Sequence, residues 1–312
     1  MFSWNADMMQ NRKKPAYIIR LVCVCAAFIL LGSLAAYAWI VFSIQGQMLD
    51  SPARQRKPSL AASDLPGSRI VSIRAEDGIP LYAVYLPGHN QAGVMLIHGY
   101  QSSSKEMLEA ARLFNRHGYS VIVPDLRAHG QSGGEVATWG VKEVGDLETL
   151  RLWLVQQPEI NPARVGILGN SMGAGLSLLY TAKTDKIAAV VAVSPYDSLE
   201  NLFSDTISNN PSLPMFPTLF LYELSMTLRV GTNLDSISPL HQISRITPRP
   251  VFILMGGHDD HLDPQGAYRL SHAAGDAPRV WFEPDGGHCD MITRWPQKYE
   301  DRVIGFFDAA LE

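Results

Sequence analysis

The 312-residue sequence predicts an α/β protein, built on a mostly parallel β-sheet with helices on both faces. Three observations predict it. From residue 69 onward, short runs rich in Val, Ile and Leu alternate with helical stretches at the spacing of βαβ units. Most of those runs are continuously apolar rather than alternating, as in strands buried on both faces. Strand-to-helix turns carry glycines, and one of them holds a serine at its apex, in "RVGILGNSMGAGLSLLY".

Before the sheet lies a different kind of segment. Residues 1–20 contain Arg12, Lys13, Lys14 and Arg20 and read as a cytoplasmic N-terminal segment. Residues 21–44, "LVCVCAAFILLGSLAAYAWIVFSI", carry no charge. About 20 such residues suffice to cross a bilayer, so this stretch is expected to be one transmembrane helix. Arg54, Arg56 and Lys57 follow it, so the positive-inside rule favours a cytoplasmic N-terminus only by a small margin. The rival reading is a cleaved signal peptide, with Ala36-Tyr37-Ala38 as the small-residue site. The apolar run continues past that site, which favours a retained anchor. Residues 45–68 are polar, with Pro, Ser and Arg, and read as a linker.

The domain itself is expected at 69–312. "RIVSI" and "PLYAVYLPG" flank Asp77-Gly78, a hairpin signal. "GVMLIHG" is a buried strand, and "SSSKEMLEAARLFNRHG" a helix with Ser103 and Glu106 at capping-box spacing and Gly118 as its stop. "YSVIVPD" is a strand and "VKEVGDLETLRLWLVQQ" a helix. "RVGILG" and "MGAGLSLLYTA" follow as strand and helix, then the strands "KIAAVVAVSP", "RPVFILMG" and "PRVWFEP", and a closing amphipathic helix, "PQKYEDRVIGFFDAALE". Residues 196–247, rich in Leu, Phe, Met and Pro, are far too long for a crossover and are expected to fold as a cap insertion. Its place is the C-terminal edge of the sheet, where open α/β sheets bind ligands. Its apolar residues could face an acyl chain or simply pack onto the core.

Composition narrows the function. A net charge of −4 gives no basic field for nucleic acid. Neither a fixed-period repeat nor a low-complexity tract is present. Of the three cysteines, Cys23 and Cys25 lie in the apolar segment and Cys289 stands alone, so no internal disulfide is implied in the domain.

Ser171 is the main chemical signal. A serine hydroxyl becomes a nucleophile when a base takes its proton, and it must stand clear of the sheet near backbone N–H groups. A sharp strand-to-helix turn does both, but only if the residues two before and two after are small. Gly169 and Gly173 occupy those positions. The glycines do not form G-x-G-x-x-G, and no G-K-[ST] phosphate loop occurs, so a nucleotide cofactor is not expected. Acid and base must come from later strand ends, in the order acid then histidine. "VFILM" runs into "GGHDDHLDP", and "RVWFEP" into "DGGHCD", which offers His288 as the general base.

Together "LIHGYQSSS", "DLRAHGQSGG", "GNSMGA", "GGHDDHLDP" and "GGHCD" resemble the α/β-hydrolase superfamily, and in particular its bacterial serine hydrolases of the esterase, lysophospholipase and prolyl-peptidase-like branches. The resemblance covers nearly all of the chain from residue 69 to the end. The family usually has Gly where Ala128 stands. The likeness implies an oxyanion hole from the backbone N–H groups of Tyr100 and Met172, and a loop-organising role for His98. It also implies an acid in Gly-x-x-Asp-x-x-x-Pro. Gly257, Asp260 and Pro264 fit that spacing in full, whereas Asp259, counted from Gly256, leaves Pro264 one residue too far. Asp260 is therefore the expected acid.

A competing reading takes His258, Asp259, Asp260, His261 and Asp263 as metal ligands, but adjacent residues rarely converge on one ion. The expected activity is thus that of a membrane-anchored serine hydrolase cleaving an ester, or else a thioester or amide, through an acyl-enzyme without a cofactor. The expected partners are a small-molecule or lipid-like ester and the membrane. The bacterial resemblance implies an inner membrane, and the small charge bias across the span favours the hydrolase domain on its periplasmic side. The alternative is a binding or scaffolding protein that kept the fold without the chemistry.

Overall fold

Period-2 alternation splits the sheet's side chains between two cores. In β3 (Gly93–Ile97), Met95 and Ile97 enter one core while Val94 and Leu96 enter the other. The same division holds in β6 (Ala189–Val193), with Val190 and Ala192 on one face and Val191 and Val193 opposite. A strand clothed on both faces must be apolar throughout, which is why these runs do not alternate.

The computed structural model describes residues 5–210, 213–275 and 278–312. They fall into two compact units, one ending at Gly46 and the other Gln47–Glu312. The second unit holds an eight-stranded sheet in the order β1-β2-β4-β3-β5-β6-β7-β8. The other strands are β1 (Arg69–Arg74), β2 (Pro80–Leu86), β4 (Ser120–Pro124), β5 (Val165–Asn170), β7 (Val251–Gly256) and β8 (Pro278–Glu283). β1 and β2 form the antiparallel hairpin expected around Asp77-Gly78, and β2 meets β4 antiparallel. The remaining pairs are parallel.

On one face pack α3 (Glu143–Leu154), α4 (Met172–Lys183) and α8 (Gln265–Ala274). On the other lie α2 (Leu108–Arg116) and, after a single turn α9 (Met291–Arg294), α10 (Pro296–Leu311), whose Phe307 is fully buried against Phe114 at 5.2 Å between ring centroids. Burying one such aromatic contributes roughly 1.5–3 kcal/mol. The parallel order places the C-terminal ends of β3, β5, β7 and β8 along one edge, which positions the loops that follow them.

α1 runs over Asn5–Arg54. Within it Tyr17–Asp50, 34 residues with an 18-residue window of mean hydropathy 2.5, is long and apolar enough to cross a bilayer, and none of that window is buried. The expected span at 21–44 lies inside it.

The expected linker is corrected by the structure. Residues 47–54 are helical, Leu49 and Leu60 are buried, and the Arg56 guanidinium donates to Gly130 O at 2.9 Å and Gly134 O at 2.8 Å. Ser59 donates to the Asp125 carboxylate. The segment is thus docked at Leu49, Arg56, Ser59 and Leu60, while residues 54–58 still present much of their surface to solvent.

The insertion is helical, with α5 (Leu199–Ser208), α6 (Met215–Val230) and a short α7 (Pro239–Gln242). Phe203, Met226 and Val230 join the core. Every exposed residue from Pro214 to Val230 is apolar: Pro214, Met215, Phe216, Phe220, Leu224 and Leu228.

Candidate active site

Ser171 stands at the junction of β5 and α4 with φ +52° and ψ −116°, a backbone conformation that costs a non-glycine residue of order 1–3 kcal/mol. Two close approaches force glycine around it. A Cβ on Gly169 would lie 2.2 Å from Gly173 O, and one on Gly173 would lie 2.4 Å from Ile97 O. The Ser171 N–H donates to Val193 O at 2.8 Å, tying the turn to the neighbouring strand. α4 begins at Met172, so its N-terminal dipole faces the serine.

His288 follows β8 and meets the loop after β7. Its Nδ1 lies 2.9 Å from Asp259 Oδ1 and 2.8 Å from Oδ2, with the Asp259 side chain wholly buried. Burial by itself would raise the Asp259 pKa. The hydrogen bond from His288, its charge, and the N–H groups of His261 and Leu262 outweigh burial and hold it below the usual value. The acid beside the histidine is therefore Asp259, which corrects the expectation of Asp260. Asp260 has an 83% exposed side chain and pairs with His261 Nδ1 at 2.7 Å. The reason lies in how the two loops join. Gly257 N donates to Glu283 O and His258 N to Gly286 O, which aligns the β7 loop with the histidine loop. Asp259 Oδ1 then accepts the N–H groups of His261 and Leu262, both at 3.0 Å, turning its side chain inward and its neighbour outward.

Ser171 and His288 line one cavity of about 500 Å³, with Gly99, Tyr100, Glu106, Asn170, His261 and Cys289 among its walls. Among the described residues no hydrogen bond joins Ser171 to His288, and catalytic hydrogen bonds commonly tighten only in the Michaelis complex. Burial pushes the Cys289 thiol up, so it is no thiolate rival to the serine. Residues of the 196–247 insertion are absent from the described lining, so its apolar side chains do not surround this cavity there.

His98 is fully buried, its Nδ1 2.7 Å from Gly99 O and its Nε2 accepting the Leu126 N–H at 3.0 Å, so it binds two loops together. Tyr100 and Met172 sit at the first position after His98-Gly99 and after Ser171 respectively. Ala128, where the family usually has glycine, adopts φ +64°, the left-handed region that glycine favours.

Glu106 is the residue the sequence misassigned. Ser103 caps the short turn Ser104–Met107, accepting from Lys105 N at 3.3 Å. Glu106 does not close a capping box there. Its Oε2 accepts the Gly99 N–H at 3.1 Å and its Oε1 accepts from Asn170 Nδ2 at 2.8 Å, clamping the loop after β3 to the residue before Ser171. Nothing local in the sequence marks that long-range pair.

Of the residues considered as metal ligands, only Asp259 and His261 gather, together with His288, with one donor atom from each within 4.8 Å of the others.

The family description "Serine aminopeptidase, S33" matches residues 88–238. An esterase of Pyrococcus furiosus superposes with a TM-score of 0.67 at 25% identity, over 82% of this chain and 99% of that one. The chain has the α/β-hydrolase fold. It is 26% identical to the uncharacterized protein YqkD of Bacillus subtilis over 234 residues, 74% of this chain and 76% of that one. It is 27% identical to the uncharacterized protein Rv2307c of Mycobacterium tuberculosis over 267 residues, 85% of each.

Proposed function

We propose that this α/β-hydrolase is a serine hydrolase that cleaves carboxylic esters through Ser171, His288 and Asp259, held at a membrane by α1. One observation carries the reading: a buried carboxylate 2.8 Å from His288 Nδ1, in a loop facing the same cavity as a serine at positive φ.

The steps follow from the parts. Asp259 accepts the Nδ1–H of His288, which leaves Nε2 free to take the Ser171 proton as Oγ attacks the ester carbonyl. The N–H groups of Tyr100 and Met172 receive the oxyanion. Collapse of the tetrahedral species expels the alcohol, which takes the proton from His288. Water, deprotonated by the same imidazole, then releases the acid. Chain and water supply every proton and bond change.

The esterase of Pyrococcus furiosus, at 25% identity, supports ester over amide chemistry. The strained turn at Ser171 supports an active enzyme over a silent binding protein, since a scaffold has no use for that strain. Asymmetry of Lys and Arg around the span supports a cytoplasmic N-terminus with the domain outside, in the periplasm of a bacterial inner membrane.

A fluorophosphonate probe and p-nitrophenyl esters of increasing chain length test the chemistry. Labelling at Ser171 with turnover lost in Ser171→Ala is expected; an unlabelled, inert wild-type protein would identify a scaffold. Protease accessibility in intact spheroplasts tests the orientation.

A further inference from the structure

The end of α1 belongs to the hydrolase unit, and Pro52 decides what that end offers. Proline has no N–H, so the carbonyl four residues earlier, that of Met48, lacks its helical donor. Tyr100 fills that role: its hydroxyl donates to Met48 O at 2.7 Å. Beside it, Leu49 is 1% exposed and its carbonyl accepts the Ala137 N–H at 3.0 Å, so the helix end is fixed to the domain at adjacent residues. The Tyr100 ring is held as well, 5.4 Å from Trp139, and its hydroxyl accepts from Gln101 Nε2 at 3.5 Å.

The backbone around Tyr100 needs such holding. Gly99 precedes it, and Gln101 follows at φ +52°. Glu106 fixes the Gly99 N–H, but that contact leaves the next peptide free to rotate. An oxyanion donor acts only when its N–H lies about 2.7–3.1 Å from the developing charge. A side chain tied at its far end restricts the rotation of its own backbone.

We propose that Tyr100 is a positioning residue whose hydroxyl, bound to the Met48 carbonyl, aims its own N–H into the oxyanion hole, so that the end of the N-terminal helix is part of the catalytic scaffold. The inference rests on the serine hydrolase reading of the site.

Tyr100→Phe in the full-length, detergent-solubilised protein tests it, because only the hydroxyl is removed and the backbone donor stays. Active sites are counted by fluorophosphonate titration. We expect kcat on p-nitrophenyl acetate to fall roughly tenfold, part of what losing a whole oxyanion donor costs. KM should barely move and Tm should fall by only a few degrees, as for one lost part-buried hydrogen bond. A trifluoromethyl ketone, whose adduct carries the oxyanion, should bind more weakly by the same factor as kcat. Leu49→Ala, which loosens the same helix end, should show the same kcat effect, and in the double variant the two losses should not multiply. Wild-type kcat and ketone affinity in Tyr100→Phe would overturn the proposal, as would a loss confined to Tm. Ser171→Ala is the control. If it is inactive while Tyr100→Phe is wild-type, only this inference fails; if it turns over normally, the hydrolase reading fails and this one with it.

Discussion

His288 Nδ1 contacts both oxygens of Asp259, at 2.9 and 2.8 Å, while the adjacent Asp260 turns away to His261. Consecutive side chains in a loop cannot both reach one imidazole, so this contact divides the pair. Asp259→Asn keeps the shape but offers a donor where Nδ1–H needs an acceptor, stabilising the wrong tautomer. Turnover should fall by about 10⁴, as for the comparable change in a Ser-His-Asp triad. Asp260→Asn, at a largely exposed side chain, should stay within a few-fold of wild type. Steady-state kinetics of the two variants check the assignment.

The backbone at Ser171 stores strain that the hydroxyl does not relieve. With φ +52° and ψ −116°, Ser171→Ala keeps the strain and Ser171→Gly removes it. Glycine's greater freedom in the unfolded chain offsets part of the gain, by about 0.4–1 kcal/mol. Ser171→Gly should still be the more stable of the two inactive variants, by about 1 kcal/mol against a strain of order 1–3 kcal/mol. Urea midpoints compare them directly.

Nearly all the fold was legible in the sequence, because strands such as Gly93–Ile97 and Ala189–Val193 are apolar at every position and glycines mark the turns between them. Ser171 and His288 were legible for a related reason: each sits in a glycine-bearing loop directly after a strand. The acid was not, because its register depends on Gly257 and His258 bonding to Glu283 and Gly286, residues of another loop. Motif spacing counts residues along one chain segment and carries no information about that partner. The docked segment at 47–60 failed similarly. Its polarity looked like solvent exposure, whereas Arg56 and Ser59 find their partners more than 60 positions away, at Gly130 and Asp125.

Acid should weaken the fold through His129. Burial, foremost, and the neighbouring charge of His98 push its pKa down to about 3 from 6.5. Between those values the unfolded chain binds a proton that the folded chain does not, so stability rises with pH in that window. The contribution is therefore fully present above about 6.5 and is lost progressively as pH falls toward 3. His129→Phe removes the titrating ring, though it also gives up the contact of Nδ1 with Arg127 O at 2.8 Å. It should be less stable than wild type at pH 7 but lose less stability between pH 7 and pH 4. Urea midpoints at the two pH values give the slope; equal slopes would remove His129 from the acid response.

Where the hydrolase unit begins decides which truncation folds. The chain from Gln47 contributes Leu49 and Leu60, both buried, together with Arg56, which donates to the carbonyls of Gly130 and Gly134. Leu60 N also donates to Ser104 Oγ at 3.0 Å, and the Tyr82 hydroxyl donates to Leu60 O at 2.6 Å, so removing this stretch strands a buried hydroxyl. Each buried leucine is worth roughly 1.5–3 kcal/mol. An unsatisfied buried polar group costs about 1–3 kcal/mol more. The sum rivals the 5–15 kcal/mol by which an ordinary domain is stable. A chain starting at Gln47 should therefore be soluble, with a sharp thermal transition. One starting at Arg69 retains every strand yet should aggregate, or melt at least 10 °C lower, since about 1 kcal/mol shifts Tm by roughly 2–4 °C in a domain of this size. Expression of both, with circular dichroism melts, makes the comparison. Equal Tm values would mean that residues 47–68 are the spacer their composition suggests.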